Sequence, residues 1–256
     1  MRIAICTDKI EIREQLNHEM QTYLTNNAIA AETVLCSDMD RLISRKSDFY
    51  DLYLIQIEWN GTSDGIDLAS AIRTRNKSSD IIFLSYNLNK VLKAFEVNAF
   101  RYLMLPLDCT RFSYYLNLAV TRYRSREMQQ VLLHRGEDYI QIPISRIIMF
   151  ETFENRKLKV ETTRQQYFVD DRMADVEHML AGRGFMRVHR SYLINLSYIR
   201  ELQQSAAIMI NDQVAYVSRR NKKSLKDRYA AYAKQLIINE NEYVLGYMKE
   251  NQERII

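Results

Sequence analysis

Runs of apolar residues without polar alternation constrain the first half of this chain more than any other feature. Ile3-Ala4-Ile5-Cys6, the stretch from Leu52 to Ile57 and Ile81-Ile82-Phe83-Leu84 are the clearest. A strand with one face in water alternates apolar and polar residues. A strand without that alternation is covered on both faces, as in a parallel sheet flanked by helices. Further strands are expected at residues 31–36 and 100–104. Helical patterns separate the strands, at residues 10–24, 39–43, 64–75, 91–97 and 108–126. The fourth-spaced apolar stripe is plain in Ile66, Leu68, Ala69 and Ile72, and again in Phe112, Tyr115, Leu116, Ala119 and Tyr123. Five repeats of strand then helix, joined by right-handed crossovers, predict an α/β fold: a doubly wound sheet of five parallel strands.

The second half changes character. Short β-prone runs follow one another at residues 139–142, 147–152, 157–161, 166–169, 199–202, 207–210 and 213–217. Turn residues such as Glu154-Asn155 and Asn211-Asp212 lie between some of them. One helix is expected at residues 172–180, stopped by Gly182 and Gly184. The second domain is therefore mostly antiparallel β. The expected boundaries are 1–125 for the first domain, 126–136 for a linker continuing as helix, 137–237 for the β domain and 238–256 for a helical tail.

Composition narrows the function. Hydrophobic residues make up 47% and charged residues 27%, the balance of a soluble globular protein. No membrane span and no signal peptide are expected, which suggests a cytoplasmic protein. Cys6, Cys36 and Cys109 are too few and too scattered for a disulfide framework, so buried free thiols are expected. No cofactor and no metal are expected, because no Cys/His cluster has ligand spacing. An enzyme is not expected either, since no glycine-rich phosphate loop and no nucleophile–base string is present.

Charge is uneven along the chain. Residues 1–125 hold 15 basic and 15 acidic side chains, whereas residues 126–256 hold 21 and 17 and so carry the whole net charge of +4. Within residues 183–228 there are ten basic and three acidic groups, a local excess of seven. That cluster fits a polyanion partner, although an arginine-rich solvated surface would show the same count.

The center of that cluster, Phe185-Met186-Arg187-Val188-His189-Arg190-Ser191-Tyr192-Leu193-Ile194-Asn195, resembles the F-x-R-V-H-R-S-Y-L-V-N signature of the LytTR family of DNA-binding domains. Ile147-Ile148-Met149-Phe150-Glu151 and Val217-Ser218-Arg219-Arg220 resemble further family segments, in the family's order. The resemblance covers residues 130–236. It implies an elongated β fold that presents loops to double-stranded DNA. Base reading then falls on Asn155, Arg156 and Lys157, on Arg190 and on Arg220. Arg187, His189, Ser191, Arg219, Lys222 and Lys223 become candidates for phosphate contacts, which position without specifying. Val188, Tyr192, Leu193 and Ile194 are expected to be core, and Asn195, which could equally cap a turn, is given no DNA role.

The first half resembles a response-regulator receiver domain, through Ile3 to Asp8, Leu54 to Glu58, Asp64-Gly65 and the segment from Ala94 to Pro106. A receiver takes a phosphoryl group from a histidine kinase onto an aspartate, with acidic residues holding Mg²⁺ and a lysine facing the phosphoryl group. Carried over to this chain, the nucleophile position is Gln56. The acidic pair is Thr7 and Asp8, and the lysine position is Leu105. Ser85 and Tyr102 fit the family's hydroxyl and aromatic positions. The resemblance therefore implies a degenerate pocket at Thr7, Asp8, Gln56, Ser85 and Leu105. Phosphate acceptance by Asp8 or Glu58 is the alternative. Receivers of this kind pair through the face corresponding to residues 89–125, where Arg101, Tyr102, Asp108, Arg111 and Arg122 are candidates for a homodimer contact. Together these features predict a sequence-specific transcription regulator of the two-component type that works without aspartyl phosphorylation. The competing reading is an interaction protein that decoys a sensor kinase or a sister regulator.

Overall fold

The computed structural model describes residues 1–38, 49–59, 64–76, 78–154 and 157–232. The chain divides into two compact units. One comprises Met1–Leu132 with Gln141–Arg146, and the other Leu133–Ile140 with the residues from Ile147 onward.

In the first unit, β1 (Arg2–Cys6), β2 (Glu32–Cys36), β3 (Leu52–Gln56), β4 (Asp80–Ser85) and β5 (Arg101–Met104) form a parallel sheet in the order β2-β1-β3-β4-β5. Its helices are α1 (Ile10–Asn26), α2 (Gly65–Arg75), α3 (Val91–Glu96) and α4 (Cys109–Met128). This is the flavodoxin-like strand order of a doubly wound sheet. Every residue of β3 and β4 is buried, because these central strands are covered from both sides. Successive residues serve opposite cores. Ile3, Ile5, Leu52 and Leu54 pack with Leu16, Met20, Phe112 and Leu116 of α1 and α4. Ala4, Cys6, Tyr53 and Ile55 pack with Leu68, Ala69 and Ile72 of α2. The helix expected at residues 39–43 lies outside the described residues.

Asp64 caps α2 by accepting the Ile66 amide at 3.0 Å. The next residue has to be glycine. A Cβ on Gly65 would lie 2.2 Å from the Gln56 carbonyl oxygen, so α2 starts hard against the end of β3.

Two expectations for this unit are corrected. Cys6 and Cys36 are buried free thiols, but Cys109 is exposed. It is the first residue of α4, directly after the exposed cap Asp108, and a helix end of that kind faces water. Tyr102 does not lie on a surface face. It is 3% exposed, and its hydroxyl donates to the Asn87 carbonyl at 2.5 Å. Although β5 is an edge strand, Tyr102 lies opposite the buried Phe83 of β4 and packs in the same core as Ala94 and Val97. Of the other residues on that candidate face, Asp108 caps α4, Arg101 stacks over the Phe100 ring with its guanidinium carbon 4.5 Å from the ring center, and Arg122 pairs with Asp80 at 3.3 Å. Arg111 is half-buried, and its amide donates to Asp108.

The linker expected to continue as helix is instead a hairpin. α4 ends at Met128, Gln129 turns extended, and β6 (Gln130–Arg135) pairs with β7 (Asp138–Pro143) around Gly136, whose φ of +64° suits glycine. Val131 and Leu133 are buried while their neighbors are exposed, a period-two pattern that the run Val131-Leu132-Leu133 hides in the sequence. The division between the units runs through this hairpin.

In the second unit, β8 (Ile147–Thr152), β9 (Leu158–Thr162), β10 (Gln166–Val169), β11 (Phe185–His189) and β12 (Tyr192–Asn195) form an antiparallel sheet in the order β10-β9-β8-β12-β11. Phe150 lies between Val160 and Leu193 across the central strands, and all three are buried. A second sheet orders β13 (Ile199–Leu202), β14 (Ala206–Met209) and β15 (Val214–Tyr216) in sequence. α5 (Met173–Met179) ends before Gly182 and Gly184, which hold φ of +74° and +80°. Residues 222–232 are helical.

Candidate nucleic-acid interface

Three segments far apart in sequence meet at one end of the five-stranded antiparallel sheet. The first is the connection from β8 to β9. The second is the two-residue turn Arg190-Ser191 between β11 and β12. The third is the 3₁₀ turn Arg219–Asn221, which leads into the helix at 222–232. The Thr152 amide donates to the Ser191 carbonyl at 2.9 Å and joins the first segment to the second. The Ser218 amide donates to the Val188 carbonyl at 2.9 Å, and Asn221 Nδ2 donates to the Arg187 carbonyl at 3.0 Å. Those two bonds fasten the third segment to β11.

The register explains why Val188 can bond outward. Arg187 opposes Leu193 and His189 opposes Tyr192, so two steps on β11 match one step on β12. Val188 is the extra residue of a bulge, and bulges bend a strand and re-aim its side chains. The Val188 side chain is wholly buried, while its carbonyl accepts from Ser218.

The predicted site residues fall into distinct environments. Asn155 and Arg156 lie outside the described residues. Lys157 is exposed at the base of the first segment and pairs with Asp170 at 3.1 Å. Asp170 also accepts the Gly136 amide at 2.7 Å. That amide first, and Lys157 second, hold its carboxyl below the usual range. Arg190 is exposed at the turn, and Ser191 is half-buried beside it. His189 is half-buried, and its Nδ1 accepts the Ser191 amide at 3.2 Å. Arg219, Arg220 and Lys223 are exposed, and Lys222 is half-buried. Arg187 is engaged within the protein: Nη1 pairs with Glu177 of α5 at 3.1 Å, and Nη2 donates to the Arg190 carbonyl at 3.1 Å.

The expected core positions Val188, Leu193 and Ile194 are buried. Tyr192 is half-buried, and its hydroxyl donates to Glu151 at 3.0 Å. Loss of solvation first, and that bond second, push its phenol up to about 12. Asn195 caps the following turn by accepting the Ser197 amide, and its Nδ2 donates to the Ile147 carbonyl. Sequence reasoning missed Glu177, Ser218, Asn221 and Asp170, which hold the segments in place. It also missed Phe153 and Phe168, a half-exposed aromatic pair 5.0 Å apart beside the first segment.

In the first unit, Thr7, Gln56, Ser85 and Leu105 cluster at the carboxyl ends of the parallel strands, where open α/β sheets bind ligands. Thr7 and Gln56 are buried and hydrogen-bonded to each other, hydroxyl to amide oxygen. The Ser85 hydroxyl donates to Glu58, and its oxygen accepts the Asn87 amide at 3.0 Å. Leu105 is buried, with its amide donating to the Ser85 carbonyl at 2.8 Å. Asp8 is half-buried next to Thr7. Among the described residues, no group of three His, Cys, Asp or Glu side chains is placed to hold a metal ion, and no helix is long and apolar enough to cross a membrane.

Residues 137–230 match the LytTr DNA-binding domain. The chain is 27% identical over 211 residues to the sensory transduction protein LytT of Bacillus subtilis (strain 168), covering 79% of this chain and 86% of that protein. It is 24% identical over 249 residues to LytT of Enterococcus faecalis (strain ATCC 700802 / V583), covering 89% and 98%. It is 26% identical over 219 residues to the transcriptional regulatory protein LytR of Staphylococcus aureus (strain N315), covering 80% and 87%. Among solved structures, the response regulatory domain of protein mrkE from Klebsiella pneumoniae matches at 23% identity with a TM-score of 0.44, covering 49% of this chain and 99% of that one.

Proposed function

Because the chain belongs with the LytTR-family response regulators, with their DNA-binding domain in its second half, we propose that it regulates transcription by reading a specific DNA sequence without aspartyl phosphorylation. The observation that carries this reading is the meeting of the three cationic segments at one end of one sheet, fastened by the Thr152–Ser191 and Ser218–Val188 bonds. Arginine matches guanine O6 and N7 with a two-pronged contact, which assigns base reading to Arg190 and Arg220 together with the loop of Asn155, Arg156 and Lys157. Arg219, Lys222 and Lys223, helped by His189 and Ser191, contact phosphates and set the register on the duplex.

Independence from phosphorylation is supported by the pocket. An amide stands at Gln56, where an acyl phosphate would need a carboxylate, and it is bonded to Thr7. Leu105 offers no cation to a phosphoryl group. The first unit then serves as a pairing module for two copies in the cytoplasm, through Arg101, Asp108, Arg111 and Arg122, or as a docking domain for a kinase or another regulator. The amide at Gln56 also favors a second reading, a decoy that occupies a kinase without accepting phosphate.

Selection of full-length protein against a random duplex pool, with no phosphodonor and at two salt concentrations, separates these readings. Enrichment of a repeated half-site supports the regulator. Weak, motif-free binding that disappears at higher salt removes sequence reading and leaves the decoy.

A further inference from the structure

Arg187 stands in the middle of the basic cluster, yet its guanidinium is already spent on the protein. One side meets Glu177 of α5 at 3.1 Å, and the other donates to the Arg190 carbonyl at 3.1 Å. Its own carbonyl accepts from Asn221 at 3.0 Å. Its side chain is 30% exposed. One residue therefore touches α5, the Arg190 turn and the Arg219–Asn221 turn. It also precedes the bulge at Val188, where the β11–β12 ladder loses a rung and cannot by itself fix the turn.

We propose that Arg187 does not contact DNA and is instead a positioning residue. With Glu177 and Asn221 it forms a frame that fixes the backbone of the Arg190 turn relative to Arg220, so that both arginines meet their bases in one register. The proposal rests on the reading of Arg190 and Arg220 as base contacts. The planar fork of arginine suits this task. It bonds a carboxylate and a carbonyl in fixed directions, whereas lysine offers a compact, freely rotating charge. Glu177 has a second effect. Its carboxylate keeps the guanidinium beneath the turn, away from the phosphates that would otherwise attract it.

Arg187→Lys and Glu177→Gln, made in the full-length chain, test this with two measurements. The first needs no DNA: amide hydrogen exchange at Ser191, whose amide donates to His189 Nδ1 across the turn, and at Thr152, whose amide donates from β8 to the Ser191 carbonyl. The frame requires exchange to quicken roughly tenfold in Arg187→Lys, because the turn opens locally more often. Unchanged exchange overturns it. The second compares binding to the selected motif and to a scrambled duplex at two salt concentrations. A phosphate contact would tolerate lysine, and Glu177→Gln would release Arg187 to strengthen binding to every duplex and steepen the salt dependence. The frame predicts the opposite. Both variants lose about tenfold on the motif only, with scrambled-duplex affinity and salt slope unchanged. Wild-type affinity for the motif in Arg187→Lys, or a general gain in Glu177→Gln, overturns it. Wild-type protein without sequence preference would remove the DNA reading itself, and the exchange measurement would still decide whether the frame exists.

Discussion

The hydroxyl of Thr7 donates to the side-chain oxygen of Gln56, and both residues are at most 1% exposed. Each neutral group satisfies the other at the carboxyl ends of β1 and β3. Within this pair no charge is buried, and the hydroxyl and the amide oxygen satisfy each other.

Placing a carboxylate at position 56 should therefore harm the protein. Gln56→Asp places a carboxylate in a buried site with no cation at Leu105, and we expect a loss of about 2 kcal/mol or more at pH 7. Burial raises the carboxyl pKa, so the loss should shrink as acid neutralizes it. Urea unfolding at two pH values checks both statements. Intact-mass analysis after acetyl phosphate treatment should show no phosphate on the wild-type chain.

Arg190→Ala should cost about 1–3 kcal/mol on the selected motif and relax one base position. Lys223→Ala should weaken binding to all duplexes alike and lower the salt slope by about one. Competition binding against single-base variants, repeated across salt, distinguishes the two. Full sequence preference in Arg190→Ala would remove that residue from the reading set.

Gly65→Ala should destabilize the first unit by about 1–3 kcal/mol, because the new Cβ meets backbone rather than a side chain that can swing aside. Thermal unfolding of the full chain, followed by a probe in residues 1–128, reports it. Unchanged stability would mean that α2 shifts freely against β3.

Asp170 ties the turn at Gly136 to Lys157, and its carboxyl is held below the usual range. A lowered folded-state pKa contributes stability that is present above the unfolded value and lost as pH falls through the folded one. Lys157→Ala removes the second of its two main causes. The Asp170 titration followed by carbon NMR should then move upward, and protection of the Gly136 amide should fail at a higher pH than in the wild type.

Thiol labeling of the native protein should modify Cys109 alone. Cys6 and Cys36 should react only on unfolding, because both are buried and burial, with the neighboring Cys36 thiol as the first cause, pushes the Cys6 thiol well up. Rapid labeling of all three in native conditions would contradict the packing of β1 and β2.

The first unit was legible because central parallel strands leave a local trace. The unbroken apolar runs at Leu52 and Ile81 name their own environment, and Asp64-Gly65 marks a helix start that only glycine tolerates. The signature residues were legible as a basic tract, but their geometry was not. Whether Arg187 faces solvent or Glu177 depends on a helix ten residues upstream. The clasp between Ser218 and Val188 joins positions 30 apart through main-chain atoms, which no side-chain pattern encodes. Tyr102 and the 130–135 strand failed for a related reason. A half-polar aromatic and a short mixed run take their environment from tertiary neighbors, not from their own periodicity.

The hairpin formed by β6 and β7 has a consequence for how such a chain can be divided. The family match begins at residue 137, between the two strands, while the partner strand and its anchors lie upstream. A fragment cut at that point keeps Asp171 but discards His134, whose amide and ring both meet that carboxylate, at 2.6 and 2.8 Å. It also discards Gly136, the partner of Asp170. The portable module is therefore longer than its recognizable sequence. An exchange of output halves between relatives should therefore carry His134 and Gly136 together with Asp170 and Asp171.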